Sequence, residues 1–118
     1  MADKKPLSNE CNAHVAAVND AMYVLSGKWK ISLLASLCFN DTRRFTDLLN
    51  DVTGISNKML SKELKELEIN KLVSRTVLNT QPISVQYQLT AHGKKLTSVI
   101  RNLSDWGTEH RKEIIEQS

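Results

Sequence analysis

A chain of 118 residues is one domain's worth and leaves no room for a second core. At 41% hydrophobic and 25% charged it excludes a disordered or fibrous protein, and at 5% aromatic it argues against a surface that stacks single-stranded nucleic acid. A formal charge of +3 only permits a polyanionic partner, so the placement of the cations decides.

In chain order, residues 1–10 are polar and read as a flexible tail without the apolar stretch of a signal peptide. No run approaches a membrane span, so no membrane partner is expected. Cys11 and Cys38 stand far apart and in no CxxC pair, which predicts a cytoplasmic protein with reduced thiols. From Ala13 to Ser26, Val15, Val18, Met22 and Leu25 recur at helical spacing, and Gly27 ends the run. A second helix is predicted from about Lys28 to Phe39, with Trp29, Leu33 and Leu37 on one face. Arg43-Arg44-Phe45 reads as a short extended stretch, and Thr46 is placed to cap a third helix that stops at Thr53-Gly54. Ser56 caps the next helix, which runs to about Asn70.

Alternation then takes over: Val73, Arg75 and Val77, then Val85, Tyr87 and Leu89, on either side of the turn-forming Asn79-Thr80-Gln81-Pro82. That predicts a β-hairpin over about 73–90. From Ala91 the helical period returns through Leu96, Val99, Ile100, Leu103, Trp106, His110 and Ile114. One helix over about 91–116 would extend on the order of 40 Å at 1.5 Å per residue. The chain is therefore mainly α with one hairpin.

The fourth helix carries the chemistry. Leu60, Leu64 and Leu67 gather on one side of it, while Lys58, Lys62 and Lys65 lie on the other beside Ser61. Ser56 and Asn57 stand at its N-terminus, where backbone N–H groups and the helix dipole favour phosphate. A recognition helix needs short polar groups for base edges and lysines for the flanking phosphates. A solvated face also mixes Lys with Glu, and Glu63 and Glu66 are present. Two neighbouring features favour the DNA reading. Thr53-Gly54-Ile55 is the tight connection that a helix-turn-helix requires. The hairpin holds Arg75 and no carboxylate, so it could lie along a phosphate backbone without repulsion.

Taken together, several stretches resemble the HxlR family of bacterial winged-helix regulators. They are Cys11, Leu25-Ser26-Gly27-Lys28-Trp29, Arg43-Arg44-Phe45-Thr46-Asp47-Leu48, Gly54-Ile55-Ser56-Asn57-Lys58-Met59-Leu60-Ser61, Leu64-Lys65-Glu66-Leu67-Glu68, Leu72-Val73-Ser74-Arg75, Val85-Gln86-Tyr87-Gln88-Leu89-Thr90, Gly93 and Trp106-Gly107. They cover roughly residues 11–107 in order. The resemblance implies a winged helix-turn-helix with N- and C-terminal dimerisation helices. Its domain would span 11–118, with the helix-turn-helix at about 46–70, the wing at about 73–90 and the dimerisation helix at about 91–116. It implies a homodimeric repressor or activator of double-stranded DNA. Carried over by position, Ser56, Asn57, Lys58, Ser61 and Lys62 face DNA. Arg43 and Arg44 sit by phosphates, and Arg75 with Asn79 and Gln81 touches the backbone or minor groove. The wing tip Leu78-Asn79-Thr80-Gln81 departs from family members that carry charge there.

The resemblance favours dimerisation through the first and last helices, here Val15, Val18 and Met22 with Leu96, Val99, Leu103, Trp106 and His110. A two-fold dimer would set its recognition helices about 34–36 Å apart on a pseudo-palindromic operator. In resembling proteins a cysteine just before the first helix is common and in some senses oxidants or electrophiles. Cys11 is accordingly a candidate sensor, the alternative being a quiet thiol near the interface. Cys38 reads as core. Cys11 and His14 share a C-x-x-H spacing with no second ligand pair, and no catalytic motif is present, so neither a metal, a cofactor nor an enzyme is expected. No sequence mark of a ligand pocket appears. The rival to a DNA-binding regulator is a winged helix that serves only as a protein-interaction module.

Overall fold

The sequence folds around a leucine core laid down by three short helices and closed by a small sheet. A computed structural model describes residues 8–116, so residues 1–7 of the expected tail, and 117–118, lie outside the described residues. The elements are α1 (Asn9–Val24), α2 (Lys30–Phe39), β1 (Arg43–Arg44), α3 (Phe45–Asp51), α4 (Asn57–Ile69), β2 (Val73–Leu78), β3 (Ser84–Leu89), α5 (Ala91–Lys94) and α6 (Leu96–Glu116). The three strands form an antiparallel sheet in the order β1-β3-β2. Its register aligns Arg75, Tyr87 and Arg43 across all three strands on one face.

Leu33, Leu34 and Leu37 of α2, Leu48 of α3, Leu60, Leu64 and Leu67 of α4, and Val73, Tyr87 and Leu89 of the sheet make the centre. α2 and α4 each contribute residues three and four apart, the spacing that places them on one face. Gly54 takes φ +89° in the turn between α3 and α4, a left-handed conformation that glycine adopts without strain. Ile55 beside it is buried, so the turn is pinned to the core.

Several predicted boundaries shift: α2 begins at Lys30 rather than about Lys28, and Phe45 opens α3 instead of extending β1. α1 begins at Asn9, because the Ser8 hydroxyl accepts from the Cys11 amide at 3.1 Å. Asn9 and Glu10 are therefore helical rather than tail, and Cys11 lies inside the first turn. Thr46 does not cap α3; the Asp47 carboxylate reaches back to accept from the Arg44 amide at 2.9 Å, which moves the cap to Arg44. The terminal helix is broken at Lys95 into α5 and α6. Just before the break, α5 passes tightly over the entry to β2: a Cβ on Gly93 would stand 2.0 Å from the Leu72 carbonyl oxygen. Thr90 fixes the passage, accepting from the Gly93 amide and donating to the Lys71 carbonyl at 2.6 Å.

The outer helices extend well past this core. The Cα radius of gyration is 18.1 Å, against about 13–14 Å for a compact chain of this length. None of the residues of α1 is buried, and α6 buries only Ile100.

Candidate nucleic-acid interface

α4 starts where the sequence puts it. The Ser56 hydroxyl accepts from the Met59 amide at 3.1 Å, satisfying one of the free N–H groups of the first turn. Leu60, Leu64 and Leu67 anchor the helix on the core. Ser56, Asn57, Lys58, Ser61, Lys62 and Lys65 are all exposed, so the residues expected to read and clamp DNA occupy one accessible surface.

The structure corrects the reading of the two glutamates. Glu63 does not share the outer face: it is 6% exposed, and its Oε2 accepts from Lys30 Nζ at 2.5 Å. The same ammonium lies 2.5 Å from Glu66 Oε2. Burial works to lower the Lys30 pKa, but the hydrogen bonds and charges of Glu63 and Glu66 outweigh it and raise the pKa above its ordinary value. The Lys30 hydrogen bond, in turn, holds Glu66 below the usual carboxylate range. Burying one cation with one anion costs desolvation that only a close, hydrogen-bonded geometry offsets. Lys30 was not singled out from sequence, though a signal existed. It begins the stripe Lys30, Leu33, Leu34, Leu37, and Glu63 sits within Leu60, Glu63, Leu64, Leu67. A charge on each of two apolar stripes marks a pair meeting inside.

The wing packs beside α4. Ser61, Lys65 and Glu68 of the helix face Arg75 and Tyr87 of the sheet across a groove of about 400 Å³. Arg75 pairs across the sheet with the buried Tyr87 yet is itself exposed, on the edge strand β2. A second open cleft, of about 560 Å³, runs between Arg44, Phe45 and Thr46 and the wing tip at Thr80, Gln81 and Pro82. Arg44, Asn79 and Gln81 are exposed.

Arg43, expected beside phosphates, is engaged within the chain. Its Nε and Nη2 donate to the two Asp51 oxygens at 2.8 and 2.7 Å, with Asp47 at 4.0 Å. Ser36 donates to the same Asp51 at 2.7 Å. These contacts tie β1 and α2 to the end of α3. The Arg43 fork, followed by the Ser36 hydrogen bond, holds the Asp51 carboxyl low against the opposing effect of burial.

Apart from Leu96, the residues expected at a dimer interface stay exposed. Val15, Val18 and Met22 on α1, and Val99, Leu103, Trp106 and His110 on α6, are exposed; Leu96 is half-buried against the core. Trp106 and His110 stack with centroids 4.9 Å apart. Between the end of α1 and the start of α6, Ala21, Val24, Leu25, Leu72, Leu96 and Val99 line an open, mainly apolar pocket of about 300 Å³, with Asp20, His92 and Lys95 at its rim. Cys11 is exposed, while Cys38 is half-buried and receives a contact from the Thr97 hydroxyl at 3.5 Å.

Two helices joined by a glycine turn, the second presenting an exposed cationic face, and a β-hairpin beside it define a winged helix-turn-helix transcriptional regulator. The model of the HxlR-like helix-turn-helix family matches residues 24–115. The chain belongs to that family. It is 34% identical over 89 residues to YvaP, an uncharacterized HTH-type transcriptional regulator of Bacillus subtilis, covering 75% of this chain and 82% of YvaP. The redox regulator HypR in its reduced form superposes with a TM-score of 0.76 at 29% identity, covering 86% of this chain and 99% of HypR. The reduced form of the transcriptional regulator YodB from B. subtilis gives 0.66 at 30% identity, covering 86% of this chain and 91% of that one. Among the described residues, no helix is long and apolar enough to cross a membrane.

Proposed function

We propose that this chain is a sequence-specific repressor that binds double-stranded DNA as a homodimer in the cytoplasm. α4 enters the major groove, with Ser56, Asn57 and Ser61 toward base edges and Lys58, Lys62 and Lys65 toward phosphates. Arg75 and Arg44 flank it, and Asn79 and Gln81 at the wing tip follow the backbone or minor groove. Arg43 supports this surface through Asp51 rather than by holding a phosphate. The observation that carries the reading is the exposed face of α4, where Lys58, Lys62 and Lys65 are open to solvent while Glu63 is buried and Glu66 is paired with Lys30, leaving Glu68 as the exposed carboxylate beside Lys65. Duplexes selected from a random pool should contain paired half-sites, and binding should weaken steeply with salt. Lys62→Ala should flatten the log–log salt slope by about one unit. Salt-independent association, or no duplex binding, would favour the protein-interaction module instead. A reporter fused to the selected operator should rise when the chain is deleted, and a fall would make it an activator.

A thiol response is the second reading, favoured by the exposure of Cys11 and by the likeness to a redox regulator. Cys11→Ser should leave DNA affinity intact and abolish any loss of binding on diamide or quinone treatment. Wild-type binding that ignores both reagents would remove the sensor role.

A further inference from the structure

Lys62 and Glu66 are four residues apart on α4, the spacing at which a Lys and a Glu meet on a helix surface. They feel one another's charge, yet they form no ion pair, because the Glu66 carboxylate is turned to Lys30 Nζ at 2.5 Å. Among the described residues, no carboxylate lies within ion-pair distance of Lys62, which is exposed. Lys30 itself is buried with Glu63 at the base of α2, so its ammonium is fixed in place.

We propose that Lys30 is a positioning residue for the DNA-reading face, holding Glu66 on the α2 side of α4 so that Lys62 stays free for a phosphate. The inference rests on the reading of Lys62 as a phosphate clamp. Without Lys30, Glu66 has Lys62 as its nearest helical partner. The pair would then remove one cation from the interface and leave a carboxylate facing the polyanion. Its cost would therefore appear in the number of counterions released on binding, a quantity that helix stability alone does not set.

The test measures the salt dependence of duplex binding by fluorescence anisotropy, using the full chain and one selected operator. Lys30→Met with Glu63→Leu replaces the buried pair by apolar volume, an exchange that proteins often tolerate. In that background the salt slope should fall by up to about one unit, and adding Glu66→Gln should return it to the wild-type value. Lys62→Ala added to the same background should lower the slope no further. A slope that stays at the wild-type value, or one that Glu66→Gln fails to restore, overturns the proposal. Glu66→Gln in the otherwise native chain needs no change in the core and gives an independent reading. It should leave the slope within a few tenths of wild type, whereas a rise near one unit would mean Glu66 already occupies Lys62 and that Lys30 does not hold it away. Lys62→Ala alone separates the two levels: if it leaves the slope unchanged the clamp reading fails, and if it flattens the slope while the Lys30 variants do not, only the present inference fails.

Discussion

The centre of the molecule and its two outer helices obey opposite rules. In the centre, every apolar stripe finds a partner within the chain: Leu33, Leu34, Leu48, Leu60 and Leu67 are entirely inaccessible to solvent. On α1 and α6 many of the apolar residues stay open, with Met22 63% and Trp106 66% exposed. These uncovered apolar residues are the ones the proposed homodimer would bury. Amphipathic period alone therefore does not say whether a helix completes the core of its own chain.

Core truncation should give the largest effect. Leu64→Ala, at 1% exposure, should cost about 2–5 kcal/mol in chemical denaturation, because both transfer energy and a residual cavity count against it. Gly93→Ala should follow at on the order of 2 kcal/mol, since the new methyl group would collide with the Leu72 carbonyl and force the hairpin and α5 apart. Trp106→Ala should behave differently, weakening self-association at least about tenfold in sedimentation equilibrium, or about 1.4 kcal/mol. The melting temperature of wild type should rise with concentration while that of the variant depends on it less. A monomeric wild type, or a Trp106→Ala chain as destabilised as Leu64→Ala, would erase the contrast between centre and periphery.

The smallest effect should come from acid. Asp51 and Glu66 titrate lower folded than unfolded, through Arg43 and Lys30 respectively. Their stabilisation is complete above the unfolded carboxylate pKa of about 4 and is lost as pH falls through the lower folded values. Lys30 is shifted the other way: its contribution is complete below its unfolded pKa and lost only as pH rises through the higher folded value. Melting temperature should therefore drop between about pH 5 and 2. Asp51→Asn, already lacking its share at neutral pH, should drop by less.

Much of this architecture was legible because its signals are local. Ser56 caps α4 through an amide three residues on, Gly54 makes the turn, and the alternation from Val73 to Leu89 gives the hairpin. The same local reading missed the capping of α3, where Asp47 supplies the acceptor that Thr46 was expected to give. It also ran α5 and α6 together, because the apolar period continues across Lys95, where the helix is nonetheless interrupted.

The sequence by itself determined the order of helices and hairpin and the set of cations and hydroxyls on α4, since helical and strand periods are fixed by neighbours in the chain. Its resemblance to a family supplied the winged helix-turn-helix. The tertiary structure alone decided which charges reach solvent. Lys30 and Glu63 are 33 residues apart and meet only when α2 and α4 share a core, and Arg43 meets Asp51 only when β1 lies against α3. Burial and pairing are properties of surfaces brought together, so the helix that reads as mixed Lys and Glu becomes, once folded, a face from which Glu63 and Glu66 have been drawn aside.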